Sequence, residues 1–116
     1  MARLRLPQRI RRDKIRRIGR TCPSHRAWVR RHHCAVPGCH LLPIECAHVR
    51  LRTDGGIGLK PSDRWVISLC AQHHQEQHRV GEREFERRYG IELSSLAEEF
   101  ARRSPHRHEL KMFIGE

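Results

Sequence analysis

The sequence predicts a small α+β domain: a knuckle of metal-binding cysteines, two short strands and several short helices, preceded by a basic arm. Three observations carry that reading. Cysteine and histidine recur at short, metal-compatible spacings in CAVPGCH (34–40) and CAQHHQEQH (70–78). Two runs suited to strands, PIECAHVRL and RWVISL, flank a stretch of turn residues. Beyond Cys70 the chain becomes rich in Gln, Glu and Arg and is punctuated by helix stops.

Taken in order, residues 1–23 form the basic arm, in which Arg alternates with Ile10, Ile15 and Ile18 without helical period. A domain is expected over 24–105 and a tail over 106–116. SHRAWVRRHHC offers Ser24 as an N-cap, then a short helix with Ala27, Trp28 and His32 towards the core. Pro37 and Gly38 make a tight turn between Cys34 and Cys39. The first strand follows. RTDGGIGLKPSD, with Gly55, Gly56, Gly58 and Pro61, is a long loop. The second strand runs directly into Cys70, after which AQHHQEQHRV is a helix stopped by Gly81. Residues 82–89 form another helix, closed by Gly90. The last helix lies in SSLAEEFARRS, with Ser95 and Glu98 at capping-box spacing and Pro105 at its end.

Composition narrows the class. With 116 residues, 5% aromatic and 32% charged, the chain holds one domain and little large apolar material, so a metal is the expected support. Five cysteines, an odd number, and no apolar N-terminal run argue against a disulfide scaffold and for a reducing, cytoplasmic setting. No membrane span is expected. The net charge of +11 is concentrated in residues 1–40, which hold twelve Lys or Arg against Asp13 alone. Such an arm suits a polyanion, and nucleic acid is the expected partner, with Arg9, Arg11, Arg12, Arg16 and Arg17 as phosphate contacts. A solvated tail is the plainer alternative.

Helical geometry divides the histidines of CAQHHQEQH. His74 and His78 stack at i and i+4, whereas His73 is turned by about 100° and shares a side with Cys70. Cys34, Cys39, Cys70 and His73 therefore make a Cys₃His set for structural Zn²⁺, with Cys22 and Cys46 left as packing or surface thiols. His74 and His78 point elsewhere. A folded-back strand can set His48 opposite them.

The ordered set of C-x₄-C, ECAHVR, a glycine-rich loop, KPSDRWVISLC and LCAQHHQEQH resembles the HNH endonucleases of the His-Me finger, or ββα-metal, superfamily, especially small phage and prophage members. The resemblance covers about residues 34–90. It implies a ββα-metal core, phosphodiester hydrolysis of DNA with low sequence specificity, His48 as general base, and His74 and His78 as ligands of one catalytic divalent ion (Mg²⁺, Mn²⁺, Ni²⁺ or Zn²⁺). RNA is the alternative substrate. Two positions depart from the pattern. Ala47 stands where many members have a metal ligand, so either two histidines with water and phosphate suffice, or Glu45 or Cys46 reaches in, or His48 is itself a ligand; the central Asn is missing, leaving Asp63 either to orient His48 or brace the loop, or to act as a turn residue. Arg50 and Lys60 are placed to grip phosphate, with Arg52 and Arg79 nearby. The competing reading is a non-enzymatic, zinc-stabilised nucleic-acid-binding module.

Overall fold

Two short strands run antiparallel, and helices lie against both of their faces. The computed structural model describes residues 20–111, and in it the order is α1 (Pro23–Val29), β1 (Ile44–His48), β2 (Val66–Cys70), α2 (Ala71–Val80), α3 (Glu82–Tyr89), α4 (Leu93–Arg103) and α5 (Arg107–Lys111). The fold is thus α+β, as expected. The arm residues Arg9, Arg11, Arg12, Arg16 and Arg17 lie outside the described residues.

The strands pair from Ile44↔Cys70 to His48↔Val66, so Ala47 faces Ile67 across the ladder. β-residues alternate faces. Ala47 and Val49 with Ile67 and Leu69 enter the main core beside Phe85 of α3 and Leu93 and Ala97 of α4. Cys46 and His48 lie on the other face, towards α1. β2 is buried along its whole length, whereas β1 is mostly half-buried, which makes β1 the accessible strand.

Several local expectations shift for identifiable reasons. Ser24 does not cap α1: Pro23 occupies the first turn and Cys22 is the N-cap, with no side-chain cap bond. Proline suits that position because its missing N–H is unneeded there and its φ is preset. The inward face is His25 and Val29, while Ala27 is exposed. Trp28 and His32 pack edge-on against Phe100 of α4, with ring centroids at 6.0 and 5.2 Å. The Ser95–Glu98 capping box is also displaced. α4 starts at Leu93, Ser95 donates its hydroxyl back to Glu92, and Glu86 accepts the Leu93 N–H at 2.8 Å. Gly81 and Gly90 do end α2 and α3, at φ 89° and 64°, a region that side chains disfavour.

Packing also crosses both ends of the expected 24–105 unit. Leu110 of α5 is buried against Cys22 and Ala101, and Arg20 donates through Nη2 to the carbonyls of Asp54 and Lys60. The loop between the strands is pinned from outside. Glu82 accepts the N–H groups of Arg50 and Leu51 at 2.9 and 2.8 Å, and Asp54 accepts both N–H and hydroxyl of Ser62 at 3.0 and 2.7 Å. Among the described residues, no helix is long and apolar enough to cross a membrane.

Candidate functional site

The knuckle forms first in the chain. Cys39 N–H closes a turn onto Val36 O at 3.0 Å, with Gly38 at φ 78°, and this folds Cys39 back towards Cys34. Ala35 N–H to Ser68 O at 2.8 Å and Ser68 hydroxyl to His33 O at 2.6 Å stitch the turn to β2. β2 then delivers Cys70 as the N-cap of α2, where its sulfur accepts the His73 N–H.

The resulting donors converge. Cys34 Sγ, Cys39 Sγ, Cys70 Sγ and a His73 ring nitrogen all lie within 4.8 Å of one another. The Nδ1 of His73 is 3.4 Å from Cys34 Sγ and 3.3 Å from Cys70 Sγ, and the Cys39 and Cys70 sulfurs are 3.9 Å apart. Tetrahedral zinc, with Zn–S of about 2.3 Å and Zn–N of about 2.0–2.1 Å, needs edges of about 3.8 Å between sulfurs and about 3.6 Å between sulfur and nitrogen. These four residues are positioned to hold a metal ion, and their donor set fits structural zinc. Burial pushes the Cys34 thiol up to about 11, whereas the Leu41 N–H brings Cys39 down. A divalent cation is what would draw the protons off such a set.

One residue beyond the knuckle, α2 faces an open groove of about 1430 Å³. The groove takes Glu45, Cys46 and His48 from β1 and nothing from β2, so it follows the outer edge of β1. Its α2 wall carries His74 and His78, whose ring centroids are 5.0 Å apart. Arg26 of α1 and Arg30, its C-cap, line it as well, as do Arg50 and Lys60. Arg79 is exposed and lies away from the groove, and Arg52 is drawn off to Glu86 at 2.7 Å.

His48 and Asp63 meet: Nε2 is 2.8 Å from Oδ1. The other Asp63 oxygen accepts the Cys22 N–H at 2.7 Å and Arg26 Nε at 2.8 Å. Burial alone would raise the Asp63 carboxyl, but the bonds from His48 and Cys22 and the Arg26 charge outweigh it and hold the group below its ordinary range. An ionised carboxylate only accepts, so Nε2 of His48 is the donor, and in the neutral ring the lone pair is on Nδ1.

The same logic applies to His74. Its Nδ1 is 2.7 Å from Glu45 Oε1, leaving Nε2 as the nitrogen able to bind a metal. Glu45 thus stands behind His74 as a hydrogen-bond partner. Ala47 is fully buried opposite Ile67, so a carboxylate there would sit in the apolar core. Among the described residues, the Cys₃His set is the single group of three or more such donors that converges; His74, His78 and Glu45 share a groove without doing so.

Sequence reasoning missed Arg26, Arg30, Gln77 and Glu82. Arg26 and Arg30 are spaced i, i+4 on α1, a signal that was available. Gln77 offered none: it is buried in a polar helix, where its amide donates to His48 O at 3.1 Å and to Glu82 at 3.2 Å, joining the histidine helix to the strand that carries His48.

Comparison with known proteins places the chain without naming a chemistry. It is 34% identical over 70 residues to an uncharacterized protein, YdfU, of Escherichia coli (strain K12), a match covering 60% of this chain and 19% of that protein. The aligned part thus spans about a fifth of that relative's length. No solved structure matches the chain. A family model does match, over residues 8–104, most of the sequence: the chain belongs to the DUF968 family, described as proteins of unknown function.

Proposed function

We propose that this protein is a metal-dependent DNA endonuclease of the HNH type, of phage or prophage kind and low sequence specificity. The observation that carries this reading is the His48–Asp63 pair at 2.8 Å, on a groove that also holds His74, His78 and several Arg and Lys side chains. Imidazole, with an ordinary pKa of about 6.5, can take a proton at neutral pH. In the proposed reaction His48 Nδ1 removes a proton from a water whose oxygen attacks phosphorus. The P–O3′ bond breaks, the 3′ oxygen gains a proton from solvent, and the ends are a 5′-phosphate and a 3′-hydroxyl. Asp63 keeps the His48 ring in one orientation. His74 and His78 would hold a divalent ion (Mg²⁺, Mn²⁺, Ni²⁺ or Zn²⁺), which supplies charge stabilisation for the phosphoryl and leaving oxygens.

Nicking of supercoiled plasmid with each ion tests this. His48→Ala is expected to slow nicking by about 10²–10⁴-fold while leaving binding intact, and His74→Ala to abolish the response to the ion. Wild-type protein that binds DNA but nicks it with none of the four ions would overturn the reading. One observation favours a second reading, a non-enzymatic zinc-stabilised nucleic-acid-binding module: the Cys₃His set converges and the groove histidines do not.

A further inference from the structure

The two walls of the groove differ in charge. Glu45 and Cys46 are consecutive on β1 and so point to opposite faces. Glu45 meets His74, and the groove is lined further by Glu82, Arg83 and Glu84, where Glu82 accepts backbone N–H groups and Glu84 is paired with Arg87 and Arg88, so this imidazole-bearing wall carries both signs of charge. Around Cys46 three cations and one carboxylate gather: burial lifts its thiol to about 12, Asp63 adds to that rise, and Arg30, Arg26 and Lys60 pull it the other way. His48 lies on this same strand face, two residues along.

These cations are not equivalent. Arg26 is engaged by Asp63 at 2.8 Å, and Arg50 donates to Gly56 O at 3.2 Å and Leu59 O at 3.4 Å. Arg30 and Lys60 are exposed, and among the described residues neither is paired with a carboxylate. They come from elements far apart in sequence, the end of α1 and the end of the inter-strand loop, and both are held near His48. Arg20 Nη2 donates to Lys60 O at 3.0 Å, and Arg26 fixes α1 to Asp63.

We infer that Arg30 and Lys60 form a binding site for a nucleic-acid phosphodiester on the α1 side of His48, opposite the His74 and His78 wall. A phosphate there meets unpaired positive charge and avoids Glu45, Glu82 and Glu84, so the backbone enters beside α1 and presents the adjoining linkage to His48. This deepens the endonuclease reading but stands or falls separately, because it concerns ground-state binding and needs no cleavage.

The test is fluorescence anisotropy of the full-length protein, purified with its own metal and with no divalent ion added, on labelled DNA and RNA duplexes of one sequence across a salt series. Arg30→Ala and Lys60→Ala are each expected to weaken binding by about 3–10-fold and to reduce the salt slope by about one. Arg30→Lys should keep the slope, and Arg103→Ala, exposed and paired with Glu99, should change neither quantity. Whichever duplex shows the Arg30-dependent slope identifies the polymer, and the effect on both identifies the phosphate backbone of either. An unchanged slope for Arg30→Ala and Lys60→Ala on both duplexes, or an equal loss in Arg103→Ala, would overturn the site. A wild-type protein that never nicks DNA would sink the enzyme reading and leave this one standing.

Discussion

The knuckle and the groove share α2, yet their donors are satisfied in opposite ways. In the knuckle, three sulfurs and one imidazole converge within 4.8 Å. Among the described residues, no ion pair engages any of the four. In the groove, His48 rests on Asp63 and His74 on Glu45, each with a carboxylate supplied by the protein. The knuckle therefore requires an external cation to become a low-energy arrangement, whereas these two groove histidines already have partners. An ion held at the knuckle would build the fold, whereas the ion proposed for the groove would be exchangeable without unfolding it.

The comparison breaks most decisively at Cys70. A structural zinc contributes about 10–16 kcal/mol of apparent binding energy, comparable to the whole net stability of a domain, about 5–15 kcal/mol. Cys70→Ser is expected to abolish stoichiometric zinc and cooperative melting together, read by metal analysis and circular dichroism; a variant that melts like wild type would show that the knuckle is not what holds the sheet.

Asp63 tests the other region with a smaller effect. Asp63→Asn removes a charged acceptor that serves His48, Arg26 and Cys22, and should cost about 1–3 kcal/mol in urea unfolding while leaving zinc content unchanged. Zinc lost along with stability would mean that the two regions fold as one unit.

The smallest effect belongs to His25, which anchors the α1 wall. It is fully buried, bonded through Nδ1 to Ser104 at 2.9 Å, with Nε2 unpartnered and Asp63 and His106 as charged neighbours. Burial lowers its pKa from 6.5 to about 4. The unfolded chain thus binds a proton that the folded one refuses, so stability is intact above pH 6.5 and falls as pH drops from 6.5 towards 4. Between neutral pH and pH 5.5 the loss is about 1 kcal/mol. Measured against His25→Gln, wild type should lose that much relative stability between neutral pH and pH 5.5; parallel curves would place the acid sensitivity in the knuckle instead.

What was legible in the sequence follows from how local each signal is. C-x₄-C, C-x₂-H, the two strand runs and the stops at Gly81 and Gly90 depend on residues a few positions apart, and all appear where expected. Asp63 was visible only as one of two options, because its choice of partner depends on a loop folding back. The α1 wall was hidden for the same reason: a count of charges joins Arg26 and Arg30 to the basic arm, and only the packing of His25 and Val29 turns them into the groove. Leu110 gave little warning because it lies beyond Pro105, where the last helix is expected to end. Ser24 and Ser95 misled because each helix starts ahead of its candidate cap, at Pro23 and at Leu93, leaving both serines inside the first turn.

The adjacency of His73 and His74 limits what length changes this chain can tolerate. His73 is fixed by the knuckle, so the phase of α2 is set at its first turn, and every later residue inherits it. One residue inserted or deleted between His73 and His78 would rotate all that follows by about 100°, and His78 would leave the groove even though no ligand had been altered. The loop between the strands has no such phase to keep. Natural variation in length should therefore collect around Gly55–Gly58 and be rare inside CAQHHQEQH, where spacing carries as much information as residue identity.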